Sequence, residues 1–204
     1  MTMQSVKPPC PDAREIHDLR RAVRRSPAGH RVARVEVNGR AYWIKRPENL
    51  SLRWRLQKGD PARAFERERQ GLHRLRELGM PVPPIVDEGP DYFVTPDAGP
   101  SLAALCRSPD FTHEERRTAL AQAARTLHRL HEAGLAHGRP NLKDFLWDGQ
   151  HITLIDLERF GRIRRLYAAQ VIDFIIFALS CFAVANRDRP GALALPDAGR
   201  ARGL

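Results

Sequence analysis

Two neighbouring stretches decide how the chain is read: Leu130-His131-Glu132-Ala133-Gly134-Leu135-Ala136-His137-Gly138-Arg139-Pro140-Asn141-Leu142-Lys143-Asp144-Phe145-Leu146-Trp147, then Ile152-Thr153-Leu154-Ile155-Asp156-Leu157-Glu158. Upstream, Leu120, Ala123, Ala124, Leu127 and Leu130 recur with the period of a helix face. Thr112 and Glu115 have the spacing of a capping box that would open this helix. Gly134 is a natural stop, because a helix commonly ends on a residue of positive φ. Residues 137 to 144 read as a polar loop. A short strand pair follows around Trp147 and Ile152 to Ile155, and its second strand runs into Asp156. The order is helix, polar loop, apolar strand, carboxylate.

On the N-terminal side, Met1 to about Ala13 is proline-rich and reads as loose. Ile16 to Arg25 has helical spacing. Val32 to Val37 alternates as a strand, and Ala41 to Lys45 returns. Asn38-Gly39 between them is a two-residue hairpin signal, since both positions tolerate positive φ. Asn49 to Asp60 is a basic segment with Arg53, Arg55 and Lys58. Phe65, Leu72, Leu75 and Leu78 give an apolar face to a helix from about Pro61 to Leu78, stopped by Gly79. Ile85-Val86 and Tyr92 to Val94 are short strand candidates, and Asp97 to Pro100 reads as a linker. On the C-terminal side, Val171 to Ala185 is the longest apolar stretch. It is short for a bilayer and carries Asp173, so it is expected to be a buried helix. Asn186 to Leu204 reads as a frayed tail.

Strands and one helix therefore precede a linker, and helices around a polar loop follow it. The pattern predicts an α+β chain with two unequal lobes: a loose N-terminus over 1–14, a small β-rich lobe over 15–97, a mainly helical lobe over 98–185 and a flexible tail over 186–204. The net charge of +10 favours an anionic partner, such as a nucleotide, a phosphorylated sugar, a nucleic acid or an anionic membrane face. The basic segments lack interleaved aromatics and carry no known reader motif, which argues against nucleic acid. Cys10, Cys106 and Cys181 have neither metal nor redox spacing and read as free thiols of a reducing compartment. No apolar run near the N-terminus suggests a secretory signal.

The loop and the strand ending on Asp156 resemble the catalytic loop and metal-binding segment of the protein-kinase-like superfamily, and within it the small bacterial lipopolysaccharide (Kdo/heptose) kinases and Rio-like kinases. The resemblance covers roughly residues 32–182 and implies a two-lobed kinase-like fold. It implies that His137 is the structural loop histidine, that Asp144 stands at the place of a metal-binding Asn and that Asp156 is the metal-binding Asp. It makes Lys45 the lysine for the nucleotide phosphates and Glu68 its partner on the helix, with Glu66 as an alternative. Asp173 takes the place of an acid on a buried helix that braces the loop, and Tyr92 to Asp97 that of the strand entering the hinge. ATP and Mg²⁺ are the implied cofactors, and phosphoryl transfer needs both cations for phosphate and oxygen ligands for the metal.

Two departures stand out. Arg139 occupies the position of the loop acid that takes the acceptor's proton, and an arginine stays protonated. No Gly-x-Gly-x-x-Gly precedes Lys45; Gly29 and Gly39 are isolated. Arg139 is compatible with contact to a phosphorylated substrate, and Asp144 with service as the base. Two functions follow from the resemblance: an ATP- and Mg²⁺-dependent phosphotransferase acting on an anionic hydroxyl acceptor, small or glycolipid, or a nucleotide-binding pseudokinase without turnover. The expected location is cytoplasmic, with peripheral contact at the inner face of the membrane. Arg162, Arg164 and Arg165 follow the metal segment and are candidates for substrate contact. His128, His131 and His137 could form a metal cluster, but no acid or thiol completes it in sequence.

Overall fold

The computed structural model describes residues 11–27, 30–48, 60–160 and 165–187. Cys10, Gly29, Arg53, Arg55, Lys58, Arg162, Arg164 and the tail beyond Arg187 lie outside the described residues. The fold is α+β and two-lobed, as a kinase-like chain should be.

The first lobe is an antiparallel sheet with a helix before it and another within it. Helix α1 (Ala13–Arg25) opens on Asp12, whose carboxylate accepts from Glu15 N at 2.8 Å. It begins inside the segment read as a loose N-terminus and covers the helical spacing read over Ile16 to Arg25. Strands β1 (Val32–Val37) and β2 (Arg40–Lys45) pair in the register Val32 with Lys45 and Val37 with Arg40. Asn38 and Gly39 turn between them with φ of 51° and 74°, the two positive values that this tight hairpin requires. Helix α2 (Pro61–Glu77) follows, capped by Asp60 and led by Pro61. Strands β3 (Asp87–Gly89) and β4 (Tyr92–Pro96) complete a sheet of order β1-β2-β4-β3. The third strand starts two residues later than Ile85, although Val86 N already donates to Val94 O at 2.9 Å.

Leu19 and Val23 of α1 pack on Val37, Tyr42, Ile44 and Val94 of the sheet. Glu15 is buried with them and is satisfied by Tyr42 Oη at 2.7 Å and Arg40 Nη1 at 3.1 Å. The other core lies in the second lobe and runs continuously into α2 through Phe65, Leu72 and Leu75. Its elements are α3 (Leu102–Arg107), α4 (His113–Glu132), a 3-10 turn (Leu142–Asp144), β5 (Phe145–Trp147), β6 (Ile152–Leu154) and α5 (Leu166–Arg187). The expected capping box opens α4: Thr112 N donates to Glu115 Oε2 at 2.8 Å, and Glu115 N donates to Thr112 Oγ1 at 3.2 Å.

Helix α5 corrects the expectation of a buried helix. Asp173, Phe177 and Ser180 face inward, one turn apart. Tyr167, Val171, Phe174, Ile175, Leu179 and Phe182 are exposed, Phe174 and Phe182 by 65% each. Leu166–Val184 is long and apolar enough to cross a membrane by length and composition, longer than the stretch read from sequence, and only 17% of it is buried. A sequence that is apolar all round does not reveal whether anything packs on every side.

Leu19 tests whether α1 belongs to this fold. The side chain is fully buried, so Leu19→Ala should destabilise the protein by about 2–5 kcal/mol in urea unfolding. An unchanged midpoint would show that α1 does not pack on the sheet.

Candidate functional site

The loop is built from beneath. Asp173 of α5 is fully buried, and its carboxylate accepts from His137 N at 2.7 Å and Gly138 N at 2.9 Å, with His131 Nε2 at 3.2 Å. A buried carboxylate is costly unless donors surround it, and here the loop's own backbone supplies two of them. Asp173 thus braces the loop, as the resemblance implied. His137 carries the order onward. Its Nε2 donates to Ile155 O at 2.9 Å, and Arg139 N points at Nδ1 at 3.4 Å. These partners require the proton on Nε2 and a neutral ring. Burial pushes the imidazole in the same direction, lowering its pKa below the usual value. His128 is exposed beside Glu132, so the three histidines do not converge on a metal.

Gly138 is required here. It has φ of 97°, and a Cβ would stand 2.7 Å from Arg159 Cβ and 3.1 Å from Arg159 O. The loop and the segment after Asp156 therefore touch backbone to backbone. Gly71 lets α2 pack closely on the side chains of that segment, since a Cβ there would meet Phe160 and Leu157 side-chain atoms at 3.1 and 3.2 Å. These close approaches bring Glu68 of α2 to Asp156.

Asp156 has φ of 64°. A non-glycine residue in this region is uncommon, aspartate tolerates it better than most, and such residues cluster at functional positions. Ile155 N donates to Asp144 O at 2.9 Å, so the two aspartates are carried on adjoining backbone. Asp144 is buried, and its Oδ2 accepts from Asn141 N at 2.8 Å. Burial pushes its carboxyl up to about 7, the nearby Asp156 adds to this, and the Asn141 N–H opposes it.

Within the first lobe, Lys45 Nζ pairs with Glu68 Oε2. Both are sequestered, with side-chain exposures of 16% and 4%. Burial raises the Glu68 pKa, Lys45 opposes that rise, and Asp156 contributes to it. Apart from Lys45, Glu68 Oε2 has no hydrogen-bond donor among the described residues. Carboxylate oxygens of Glu68, Asp156 and Glu158 lie within 4.8 Å of one another, an all-oxygen set suited to a hard divalent cation such as Mg²⁺. Lys45, Glu68 and Asp156 are therefore brought together. Asp144 adjoins them but is not one of those three. Arg139 is exposed on the loop, and Glu66 pairs instead with Arg69 at 2.6 Å.

Sequence reasoning missed two members. Glu158 holds its backbone oxygen to Arg67 Nε at 3.0 Å and approaches Lys45 Nζ at 3.8 Å. Arg31, beside the first residue of β1, pairs with the Glu158 carboxylate. No strand periodicity links Glu158 to Asp156, because β6 ends at Leu154 and Asp156 leaves the extended region with φ of 64°. Nothing local marked Arg31.

A two-lobed kinase-like fold with a lysine–glutamate pair facing acids at the lobe boundary defines the class. Residues 97–188 match the model of the Lipopolysaccharide kinase (Kdo/WaaP) family. That span holds His137, Arg139, Asp144, Asp156 and Asp173; Lys45 and Glu68 lie before it. An uncharacterized protein of Haemophilus influenzae is 28% identical over 163 residues, covering 78% of this chain and 67% of that protein. The family match supports a kinase-like function.

Asp144 makes stability depend on pH. Its folded value of about 7 exceeds the unfolded value of about 3.9. The folded state then binds the proton more tightly, so this contribution is fully present below pH 4, fades as pH rises to about 7 and is gone above. Unfolding free energies measured from pH 4 to 8 in EDTA should fall more steeply for the wild type than for Asp144→Asn, by on the order of 3 kcal/mol. Parallel curves would mean that Asp144 is ionised throughout.

Proposed function

We propose that this chain is an ATP- and Mg²⁺-dependent phosphotransferase acting on a hydroxyl of a small or glycolipid acceptor of lipopolysaccharide type. The observation that carries the reading is the buried Lys45–Glu68 pair set against Asp156 across the lobe boundary. Lys45 is the point charge for the nucleotide phosphates, and Glu68 orients it. Asp156 is the principal metal ligand, with Asp144 and Glu158 as the neighbouring acids. Mg²⁺, when bound, offsets phosphate charge. His137 positions the strand end through Ile155.

The proton is the open step of such a reaction. Attack by the acceptor oxygen on the terminal phosphorus forms the new P–O bond, expels the nucleoside diphosphate and leaves one proton to be taken up. Arg139 cannot take it. Asp144 is the one carboxyl in the loop over residues 137–144, and its value of about 7 suits a base at neutral pH. We assign it that role, with Arg139 as a contact for an anionic acceptor.

A second reading rests on Arg139 itself: a pseudokinase that binds nucleotide without turnover. Thermal melting with and without MgATP, followed by a phosphate-transfer assay, separates the two. Saturating MgATP at about 100 times Kd should stabilise the wild type by about 2.7 kcal/mol. Asp156→Ala and Lys45→Met should lose most of that gain. Stabilisation without phosphate release or transfer would establish the pseudokinase, and no stabilisation at millimolar ATP would sink both.

A cytoplasmic location with peripheral membrane contact fits this acceptor. The exposed apolar face of α5 and the net charge of +10 support contact with an anionic bilayer. The wild type should co-sediment with phosphatidylglycerol-containing vesicles more than with phosphatidylcholine vesicles. Phe174→Ser with Phe182→Ser should reduce that binding at unchanged MgATP stabilisation. Equal recovery of wild type and variant would remove the membrane from the proposal.

A further inference from the structure

In the kinase-like reading, a glycine-rich turn ordinarily covers the nucleotide phosphates, and this chain has none before Lys45. The β1–β2 register shows why the existing hairpin cannot substitute. Val37 pairs with Arg40 at the Asn38-Gly39 turn, whereas Lys45 pairs with Val32 at the opposite end of the ladder. What lies beside Lys45 is the start of β1, and Arg46 N fixes it by donating to Arg31 O at 2.8 Å. Arg31, Lys45, Arg46, Pro61, Phe65 and Glu158 are among the residues that line a small, open depression at this end of the sheet.

The cations of this pocket are committed to different degrees. The Arg46 guanidinium holds the end of α1 through Val23 O at 2.8 Å and Ser26 Oγ at 3.1 Å. Lys45 is tied to Glu68, whose side chain is 4% exposed. Arg31 pairs with Glu158, and their side chains are 36% and 29% exposed. Breaking the buried pair would strand a charge, whereas a pair this exposed contributes little. An incoming anion therefore displaces Glu158 rather than Glu68. With a divalent cation present, the displaced carboxylate would have a second place to turn, because one of its oxygens lies within 4.8 Å of one oxygen of Asp156.

We infer that Glu158 is a resident carboxylate gate on a phosphate seat formed by Arg31 and Lys45, in which Arg31 does the work of the missing glycine-rich turn. The inference rests on the nucleotide-binding reading above and adds to it a coupling. A divalent cation that draws Glu158 toward Asp156 releases Arg31 for phosphate, so cation and phosphate each favour the binding of the other.

The probes are inorganic tripolyphosphate and ATP, titrated by calorimetry into the full chain in EDTA and again in Mg²⁺. In EDTA, Glu158→Gln should bind tripolyphosphate about three- to tenfold more tightly than the wild type, because the competing carboxylate is gone. Its gain on adding Mg²⁺ should be smaller than the wild type's. Arg31→Ala should weaken binding about tenfold under both conditions, and Arg31→Lys should restore part of it. Thermal melts without ligand identify any variant that fails to fold, and Arg31→Lys then carries the comparison. Equal or weaker binding by Glu158→Gln in EDTA, or unchanged binding by Arg31→Ala, overturns the gate even where ATP binds. Arg31-dependent binding of tripolyphosphate without any binding of ATP upholds the phosphate seat and removes the nucleotide. Binding of neither probe by any variant overturns both.

Discussion

The Asp173 carboxylate is the interaction on which the rest of the site depends. It is a charge placed in the interior, where desolvation is expensive, and the donors that offset it belong to the loop it serves. Through His137 Nε2 the same order reaches Ile155 O, one residue before Asp156. Helix α5 is thereby tied in rotation. To present Asp173, Phe177 and Ser180 inward, it must turn Tyr167, Val171, Phe174 and Phe182 outward. The exposed apolar face and the braced loop are two sides of one constraint.

Charge balance organises the other half of the site. Glu68, Asp156 and Glu158 crowd one another, and like charges this close repel. Lys45 and Arg31 are the cations set against them. Of these groups, Glu68 is the most deeply buried, so its charge depends most on its lysine. Removing Lys45 would leave an uncompensated acid in the core between the lobes, which costs far more than the pair contributes. A shared site for cations and acids at the junction of two lobes is held together by the same charges that would recognise phosphate and metal.

Much of this was legible in sequence because it is local. The Asn38-Gly39 hairpin, the Thr112–Glu115 capping box and the stop at Gly134 each rest on a few neighbouring residues. The order Lys45, Glu68, Asp156, Asp173 carried the site because resemblance supplied the long-range pairing that periodicity lacks. What failed was non-local. Arg31 reaches Glu158 only because β1 lies in one particular register on β2, and no pattern near Arg31 encodes that register. The face of α5 was misread because its apolar residues surround the helix, and only the packing of the loop on Asp173 decides which of them are covered. Helix α1 was visible as a helix, but its membership of the first lobe depends on the sheet contacts of Leu19 and Val23.

The exchange of an acid for Arg139 is less decisive for chemistry than its position suggests. General-base assistance is worth typically 10²- to 10⁴-fold, whereas charge stabilisation and positioning supply most of the acceleration in phosphoryl transfer, where the transition state is loose. The residues suited to the larger contribution, Lys45, Glu68 and Asp156, are in place. In the proposed reading, the smaller contribution is the one assigned to Asp144, whose carboxyl is pushed up to about 7 by burial. That same burial limits it, since a base held beneath the loop must meet the acceptor's proton through a rearrangement of the 3-10 turn it caps. Slow transfer follows from such an arrangement, and loss of transfer follows only if the turn does not open.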